Sequence, residues 1–265
     1  MPHVNRAGVN IYYESFGSGL PLVFLHPWTT NRFIWAFQIM EFARDHRCIA
    51  VDHRGHGQSD KPDSGYALTE MADDVVAILD HAGVDKAILI GNSIGGMIAM
   101  QTSLSAPERV LGNLILSSGT NIGANAPPEM AEAMQSDWRG MFSGLLDAAV
   151  SQRSKADRPE IGTFMEACFR VENNFNEKVF FASVADPGGV FAWNISEQLK
   201  DISQPTLVIA GEEDGATSVE QNQFIADNIP NAEIKIYPEV GHFCQLEQPL
   251  SFNSDLRGFI ARVTG

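Results

Sequence analysis

Residues 87–97 carry the sequence AILIGNSIGGM, which joins a continuous apolar run to a serine turn flanked by glycines. An apolar run of this kind is typical of a strand buried on both faces of a parallel sheet. The turn matches the pattern G-x-S-x-G, in which Ser93 projects from a sharp bend between a strand and a helix. Gly91 and Gly95 occupy the positions where such a bend leaves no room for a side chain. The stretch therefore predicts a nucleophilic serine at the end of a buried strand.

Similar apolar runs lie on both sides of this stretch and alternate with helical patterns. The predicted strands are two around the turn in residues 4–16, then 21–25, 48–51, 87–90, 114–116, 206–209 and an edge strand at 233–237. One predicted helix has Thr69 as its N-cap and Gly83 as its C-terminal stop, and another follows Ser93. The alternation predicts the α/β class, with a mostly parallel sheet and helices on both faces.

Residues 120–204 interrupt this alternation, since they contain helical patterns and no convincing buried strand. The simplest interpretation is a helical lid inserted into an α/β core made of residues 1–119 and 205–265. The lid is rich in Met and aromatic residues, and Trp138, Phe142 and Trp193 are its candidate pocket residues. A role for most of these side chains in the lid's own core stays open.

A serine hydroxyl needs a base, and the base needs an anion that holds its tautomer. His242 is the best candidate for the base, because it lies between the last predicted strand and the last predicted helix. Asp214 follows the strand that ends near residue 210 and is the candidate anion. Glu212 and Glu213 directly precede Asp214 and are rivals for this role.

Attack on a carbonyl develops negative charge on oxygen, so two backbone N–H groups should face that oxygen. The N–H of Ile94, directly after Ser93, is one candidate donor. The second should come from the loop after the strand at residues 21–25. Pro27 in that loop has no N–H, which points to Trp28.

Composition and net charge limit the kinds of molecule that the chain is expected to bind. The chain has a formal charge of −15, so binding to nucleic acid or to an anionic membrane surface is not expected. The three cysteines are widely spaced and predict neither a disulfide framework nor a zinc site. We expect no metal and no organic cofactor. The first residues lack the apolar stretch of a signal peptide, so a cytoplasmic location is expected, and a homodimer stays open.

The chain resembles α/β-hydrolase-fold serine hydrolases. The resemblance rests on residues 26–28, 52–59 and 91–96, on the run 205–214 and on Gly241-His242, with the chain order Ser93, Asp214, His242. Family members usually carry His-Gly where this chain has His26-Pro27. The resemblance implies a serine hydrolase of a small, largely apolar ester or lactone. Carbon–carbon bond hydrolases of ring-cleavage products have a similar serine turn at the positions of Gly91–Gly96, which we call the elbow, and they are one alternative. Members of the fold that act in signalling or as ligand receptors are the other, and the signalling members bind a protein partner.

Overall fold

The computed structural model describes residues 3–125, 136–170 and 175–265. Within these residues, eight strands form one sheet. The strands are β1 (His3–Arg6), β2 (Val9–Phe16), β3 (Pro21–Leu25), β4 (Arg47–Asp52), β5 (Ala87–Asn92), β6 (Val110–Leu116), β7 (Thr206–Gly211) and β8 (Ala232–Tyr237).

The spatial order of the strands is β1-β2-β4-β3-β5-β6-β7-β8. The first two strands pair with each other in antiparallel register, and β2 also pairs antiparallel with β4. All the remaining pairs are parallel. The predicted mostly parallel sheet is therefore confirmed, and the carboxyl ends of β3 to β8 meet at one edge.

The helices of the described residues cover both faces of this sheet. They are α1 (Ala36–Phe42), α2 (Leu68–His81), α3 (Ile94–Ser105), α4 (Trp138–Ala149), α5 (Gln152–Asp157), α6 (Glu160–Arg170), α7 (Glu177–Ala185), α8 (Val219–Asn228), α9 (Cys244–Glu247) and α10 (Pro249–Thr264). Short 3₁₀ turns occupy Arg32–Trp35, Pro107–Arg109, Gly123–Asn125 and Ser196–Asp201.

Alternate residues of the central strands pack into two separate hydrophobic cores, one on each face of the sheet. Val23 and Leu25 of β3 pack with apolar side chains of α2, α3 and α8. Leu22 and Phe24 of the same strand pack with those of α1 and α10 on the opposite face. All four side chains are fully buried. This is why the strands are continuous apolar runs rather than alternating ones.

Helix α2 begins one residue before the predicted N-cap. Ala67 takes the N-cap position with no side-chain capping bond, and Thr69 lies inside the first turn. The N–H of Leu68 donates instead to the carbonyl oxygen of Gly188, at 2.8 Å. The N-cap prediction was therefore wrong, because a distant segment supplies an acceptor that local sequence cannot reveal. The predicted stop is confirmed, since Gly83 follows the helix with φ +65°.

Between β6 and β7 the described residues form helices and turns, with α4 to α7 among them, and contain no strand. We call residues 120–204 the insertion. Its boundaries as a separate lid stay a prediction. No helix in residues 3–125, 136–170 and 175–265 combines the length and apolar character required to cross a bilayer.

Candidate active site

Ser93 lies on the bend between β5 and α3, with φ +56° and ψ −118°. A non-glycine residue in this region is strained and needs support from its surroundings. Its N–H donates to the Leu116 carbonyl oxygen of β6 at 2.9 Å. A Cβ on Gly91 would come within 2.2 Å of the Gly95 carbonyl oxygen, and one on Gly95 within 2.1 Å of that of Leu25. The two glycines are therefore needed for the bend to close.

His242 and Asp214 lie together at the same edge of the sheet. The Nδ1 atom of His242 is 2.8 Å from Oδ2 of Asp214. His242 is 5% exposed and Asp214 is 8% exposed, whereas Glu212 and Glu213 are exposed and contact other groups. Of the three consecutive acidic residues, Asp214 is the one that contacts the histidine.

The Asp214 carboxylate is held by its own turn. Its Oδ1 accepts from the N–H groups of Ala216 and Thr217 at 2.8 and 3.0 Å, and Oδ2 accepts from the Thr217 hydroxyl at 2.8 Å. Burial by itself raises the pKa of Asp214, but His242 and these hydrogen bonds lower the pKa below its ordinary value. The carboxyl is therefore ionised at neutral pH. Thr217 was not predicted from the sequence. The bond from the Ala216 N–H belongs to a common turn pattern, in which an Asp side chain accepts from the main chain two residues on.

Asn92 links the serine bend to the histidine loop. Its Nδ2 donates to the carbonyl oxygens of Leu116, at 3.2 Å, and of His242, at 3.3 Å. Its Oδ1 accepts from Nε2 of Gln245 at 3.2 Å. Asn92 is fully buried, and the residue next to Ser93 thereby contacts the main chain of His242. The contact joins positions 150 residues apart, so no local pattern predicts it beyond a polar residue in a buried stretch.

The loop after β3 carries Trp28, the second candidate oxyanion donor. Two neighbouring N–H groups already have acceptors: Thr29 donates to Nε2 of His56 at 3.1 Å, and Thr30 donates to the Pro27 carbonyl oxygen at 3.3 Å. Thr29 has φ +62°, so the loop is bent sharply directly after Trp28. The Trp28 and Ile94 assignments stay predictions.

Three buried histidines hold this loop. His26 donates from Nδ1 to the Pro27 carbonyl oxygen and accepts the His53 N–H at Nε2. His53 donates from Nε2 to the His26 carbonyl oxygen, and His56 donates from Nδ1 to that of Arg54. Burial lowers the pKa of His53 to about 4 and that of His56 to about 3, and the pKa of His26 lies well below its usual range. All three rings are neutral at pH 7.

An aromatic cluster joins this loop to the insertion. The Phe180 ring stacks with the Trp28 ring at 5.4 Å and with the Trp138 ring at 5.0 Å, both with interplanar angles of 17°. Phe175 and Phe191 meet the Trp28 ring edge-on at 5.9 and 5.8 Å. We call these five residues the aromatic cluster. Trp138, a candidate pocket residue, is therefore separated from Trp28 by one ring, that of Phe180.

The other two candidate pocket residues lie elsewhere. Trp193 is 6% exposed and packs in the core against α3, and its indole N–H donates to Gln101 Oε1 at 2.8 Å. This position favours a packing role, and a place for Trp193 in the substrate pocket stays a prediction. Phe142 belongs to α4, and its side chain lies outside the described residues. In the described part of the chain, no three His, Cys, Asp or Glu side chains gather in a metal-binding arrangement.

Comparison with known proteins gives a consistent set of relatives. A family model described as the alpha/beta hydrolase fold matches residues 21–249. The structure of Est816, described as an N-acyl homoserine lactone degrading enzyme, is 58% identical, with a TM-score of 0.94 over 97% of this chain and 100% of that chain. The 3-oxoadipate enol-lactonase 2 of Acinetobacter baylyi is 27% identical over 96% of this chain and 94% of the enzyme. The 2-hydroxymuconate semialdehyde hydrolase of a Pseudomonas species is 28% identical over 99% of this chain and 95% of the enzyme.

Proposed function

Because the chain belongs to the α/β-hydrolase fold family, we propose that it is a serine hydrolase that opens lactones and cleaves carboxylic esters through an acyl-enzyme. Ser93 is the nucleophile, His242 the general base and Asp214 the residue that orients the base. The strongest support is the 2.8 Å contact between His242 Nδ1 and the buried Asp214 carboxylate. That carboxylate accepts a hydrogen bond from the Nδ1–H group, which leaves Nε2 of His242 able to take a proton.

The proposed reaction has two halves. Ser93 Oγ attacks the substrate carbonyl carbon while His242 Nε2 takes the hydroxyl proton, and the proton then passes to the leaving oxygen as the C–O bond breaks. Water, deprotonated by His242, next attacks the ester on Ser93 and releases the acid. In a lactone the leaving oxygen stays tethered to the acyl group, so the product is a single hydroxy acid.

The oxyanion of each tetrahedral intermediate is assigned to the N–H groups of Trp28 and Ile94. The N–H of Ile94 opens helix α3 directly after Ser93, and a helix N-terminus favours negative charge. In the loop after β3, Pro27 has no N–H, so Trp28 supplies the next main-chain donor along the loop. Preorganised donors of this kind stabilise the transition state without reorganising during the reaction.

The substrate class follows from the relatives and from the aromatic cluster. The relative at 58% identity degrades N-acyl homoserine lactones, and another is an enol-lactonase. A substrate of this class has a polar lactone ring and an apolar acyl chain. The lactone carbonyl would lie at Ser93, and the chain would contact the aromatic cluster, with the insertion acting as the lid. Apolar contacts of that kind tolerate chains of differing length.

Substitution of Ser93 tests the proposal. Wild-type protein should convert N-acyl homoserine lactones to products heavier by one water, measured by mass spectrometry, and should hydrolyse p-nitrophenyl butyrate. Ser93→Ala should lose on the order of 10⁶-fold in kcat on both and should no longer be labelled by a fluorophosphonate. A chelator should leave activity intact. Labelling that persists in the alanine variant would move the nucleophile to another residue.

A carbon–carbon bond hydrolase of ring-cleavage products is the second candidate. It is favoured by the asparagine at position 92 in the Gly91–Gly96 elbow and by the semialdehyde hydrolase among the relatives. A panel containing vinylogous diketones beside lactones and p-nitrophenyl esters separates the two. A kcat/KM on a diketone at least ten times that on every lactone and ester would favour the second candidate.

A further inference from the structure

The carboxylate of Glu247 lies between two chain segments that are distant in sequence. Its Oε1 accepts the N–H of Gly241 at 3.0 Å, and its Oε2 accepts the N–H of Ser151 at 3.1 Å. Glu247 is 5% exposed and Ser151 is 1% exposed. A charged side chain is rarely buried unless its acceptor atoms are satisfied, and here both oxygens take main-chain donors. The contact therefore joins the residue before His242 to Ser151, which lies between the insertion helices α4 and α5.

The main chain of His242 itself completes this arrangement. Its N–H donates to the Ala149 carbonyl oxygen at 2.6 Å, at the last residue of α4. A Cβ on Gly241 would come within 2.2 Å of the same carbonyl oxygen, so only glycine permits this approach. The segments around residues 149–151 and 241–242 are thus joined twice, once directly and once through Glu247.

From these contacts we infer that Glu247 is a positioning residue for His242. The inference rests on the proposed function, because it takes His242 as the base. Glu247 touches neither the reacting atoms nor the imidazole ring. It acts by holding the Gly241–His242 main chain against the segment that follows α4, so that the imidazole ring keeps its contact with Asp214. Without the two carboxylate bonds, the Gly241 N–H would lose its acceptor. The His242 main chain would keep the Ala149 bond and the Asn92 contact at 3.3 Å.

The same helix connects His242 to the aromatic cluster. Helix α4 begins at Trp138, whose ring stacks on Phe180, and ends at Ala149, which accepts the His242 N–H. The insertion therefore both contributes to the cluster and helps to place the base. Glu247 is the side chain that hydrogen-bonds both to Ser151, just after this helix, and to Gly241 in the histidine loop.

Glu247→Gln tests the inference, with Glu213→Gln as the matched control. The glutamine keeps the shape of the side chain but presents an NH₂ group to one of the two N–H donors. Glu213 also accepts a main-chain N–H of the insertion, that of Gln152 at 3.0 Å, but it is exposed and its side chain does not bond to the Gly241–His242 segment. Each variant is measured for kcat and KM on p-nitrophenyl butyrate, for the rate of fluorophosphonate labelling at Ser93 and for Tm.

Glu247→Gln should lower kcat by about 10- to 100-fold, because small misplacements of a catalytic group have effects of this size. KM should stay within about twofold of wild type, since uniform substrate binding is not changed. Labelling should slow by a factor similar to that in kcat, because it also needs His242 to take the Ser93 proton. Glu213→Gln should match wild type. A folded Glu247→Gln protein with wild-type kcat and labelling, or equal losses in both variants, would overturn the inference.

Two variants of Ser151 that differ in the main-chain N–H test the same inference if Glu247→Gln fails to fold. Ser151 has φ −62° and ψ 153°, and Val150 before it is extended, so the backbone at position 151 suits proline. Ser151→Pro deletes the N–H that donates to Glu247 and the hydroxyl that caps α5. Ser151→Ala removes the same helix-capping hydroxyl but keeps the N–H. Ser151→Pro should have a kcat several times lower than Ser151→Ala, and equal values in the two would overturn the inference.

One readout needs no substrate and separates this inference from the proposed function. Proton NMR follows the hydrogen-bonded Nδ1 proton of His242 as a downfield signal, identified by its loss in Asp214→Asn. In Glu247→Gln this proton should exchange with solvent at least about ten times faster than in wild type and in Glu213→Gln. Unchanged exchange would count against the positioning role. Absence of turnover and labelling in the wild type would instead count against the proposed function.

Discussion

At the scale of single residues, burial distinguishes Asp214 from its two acidic neighbours. Asp214→Asn should lower kcat by roughly 10⁴-fold, because an asparagine at this position favours the wrong imidazole tautomer, as in the serine proteases. KM should change little, since the carboxylate is buried behind the histidine. The measurement is steady-state hydrolysis of p-nitrophenyl butyrate, with both proteins at the same pH.

Glu212→Gln and Glu213→Gln are the controls for this prediction. Both side chains are exposed, and the Glu212 carboxylate accepts only from the main chain of Glu239 among the bonds seen here. Each should keep kcat within about twofold, as is usual for exposed substitutions. A loss in either variant as large as that in Asp214→Asn would overturn the assignment.

The sequence was sufficient to predict the serine bend and the pairing of Asp214 with His242, whereas the catalytic roles of these residues stay predictions. Ser93 is marked by its glycines, and the contact between Asp214 and His242 was expected from their positions after two predicted strands. The residues that support the site, Asn92 and Glu247, could not be predicted from the sequence, for a physical reason. Asn92 and Glu247 form hydrogen bonds with main-chain groups 150 and 96 positions away, and nothing local marks an acceptor or donor at such a distance.

At the scale of elements, the loop after β3 allows the roles of the Trp28 main chain and the Trp28 side chain to be tested separately. Trp28→Ala keeps the N–H assigned to the oxyanion and should mainly alter KM by removing a ring of the aromatic cluster. Trp28→Pro deletes the N–H and should lower kcat on the order of 10²- to 10³-fold, the usual loss for one oxyanion donor. The two variants are compared by kcat and KM on the same ester.

Proline could also distort the loop, so Tm and the circular dichroism of both Trp28 variants are measured alongside. The hydrogen bond from the Thr29 N–H to His56 gives the loop an anchor that does not involve Trp28. A well-folded Trp28→Pro protein with near-normal kcat would move the second donor to another residue.

Strands were easier to predict than helix ends. A strand buried on both faces must be apolar throughout, so β3, β5 and β7 are visible as runs in the sequence. A helix end needs only one acceptor or donor, which can come from anywhere. The start of α2 is set by the Gly188 carbonyl oxygen, 120 positions after Leu68 in the chain, rather than by a capping side chain.

At the scale of the whole molecule, the insertion meets the core in two chemically different ways. At the aromatic cluster, rings from the insertion pack on Trp28. At the histidine loop, the end of α4 makes hydrogen bonds with buried main chain. The aromatic content of residues 120–204 predicted a role in substrate choice, but not which rings face the core loop. That distinction depends on how the helices pack, and it separates Trp138 from Trp193.

Replacing these two tryptophans should therefore have different consequences. Trp138 is partly exposed and stacks on Phe180 in the aromatic cluster, so Trp138→Ala should change the ratio of kcat/KM between long-chain and short-chain acyl substrates by about 10-fold or more. Trp193 is buried in the core with its N–H bonded to Gln101, so Trp193→Ala should lower the free energy of unfolding by about 3–5 kcal/mol.

The measurements are hydrolysis of homoserine lactones with acyl chains from four to twelve carbons and urea unfolding followed by fluorescence. Trp193→Phe retains most of the ring but loses the N–H, so it should leave Gln101 Oε1 without this donor and lower stability less than alanine does. The rate of Trp138→Ala on an acetyl ester should stay near wild type, because the proposed mechanism assigns the chemistry to Ser93 and His242. A loss of several orders of magnitude on that smallest ester, in a folded protein, would mean that the insertion acts at the reacting carbonyl itself.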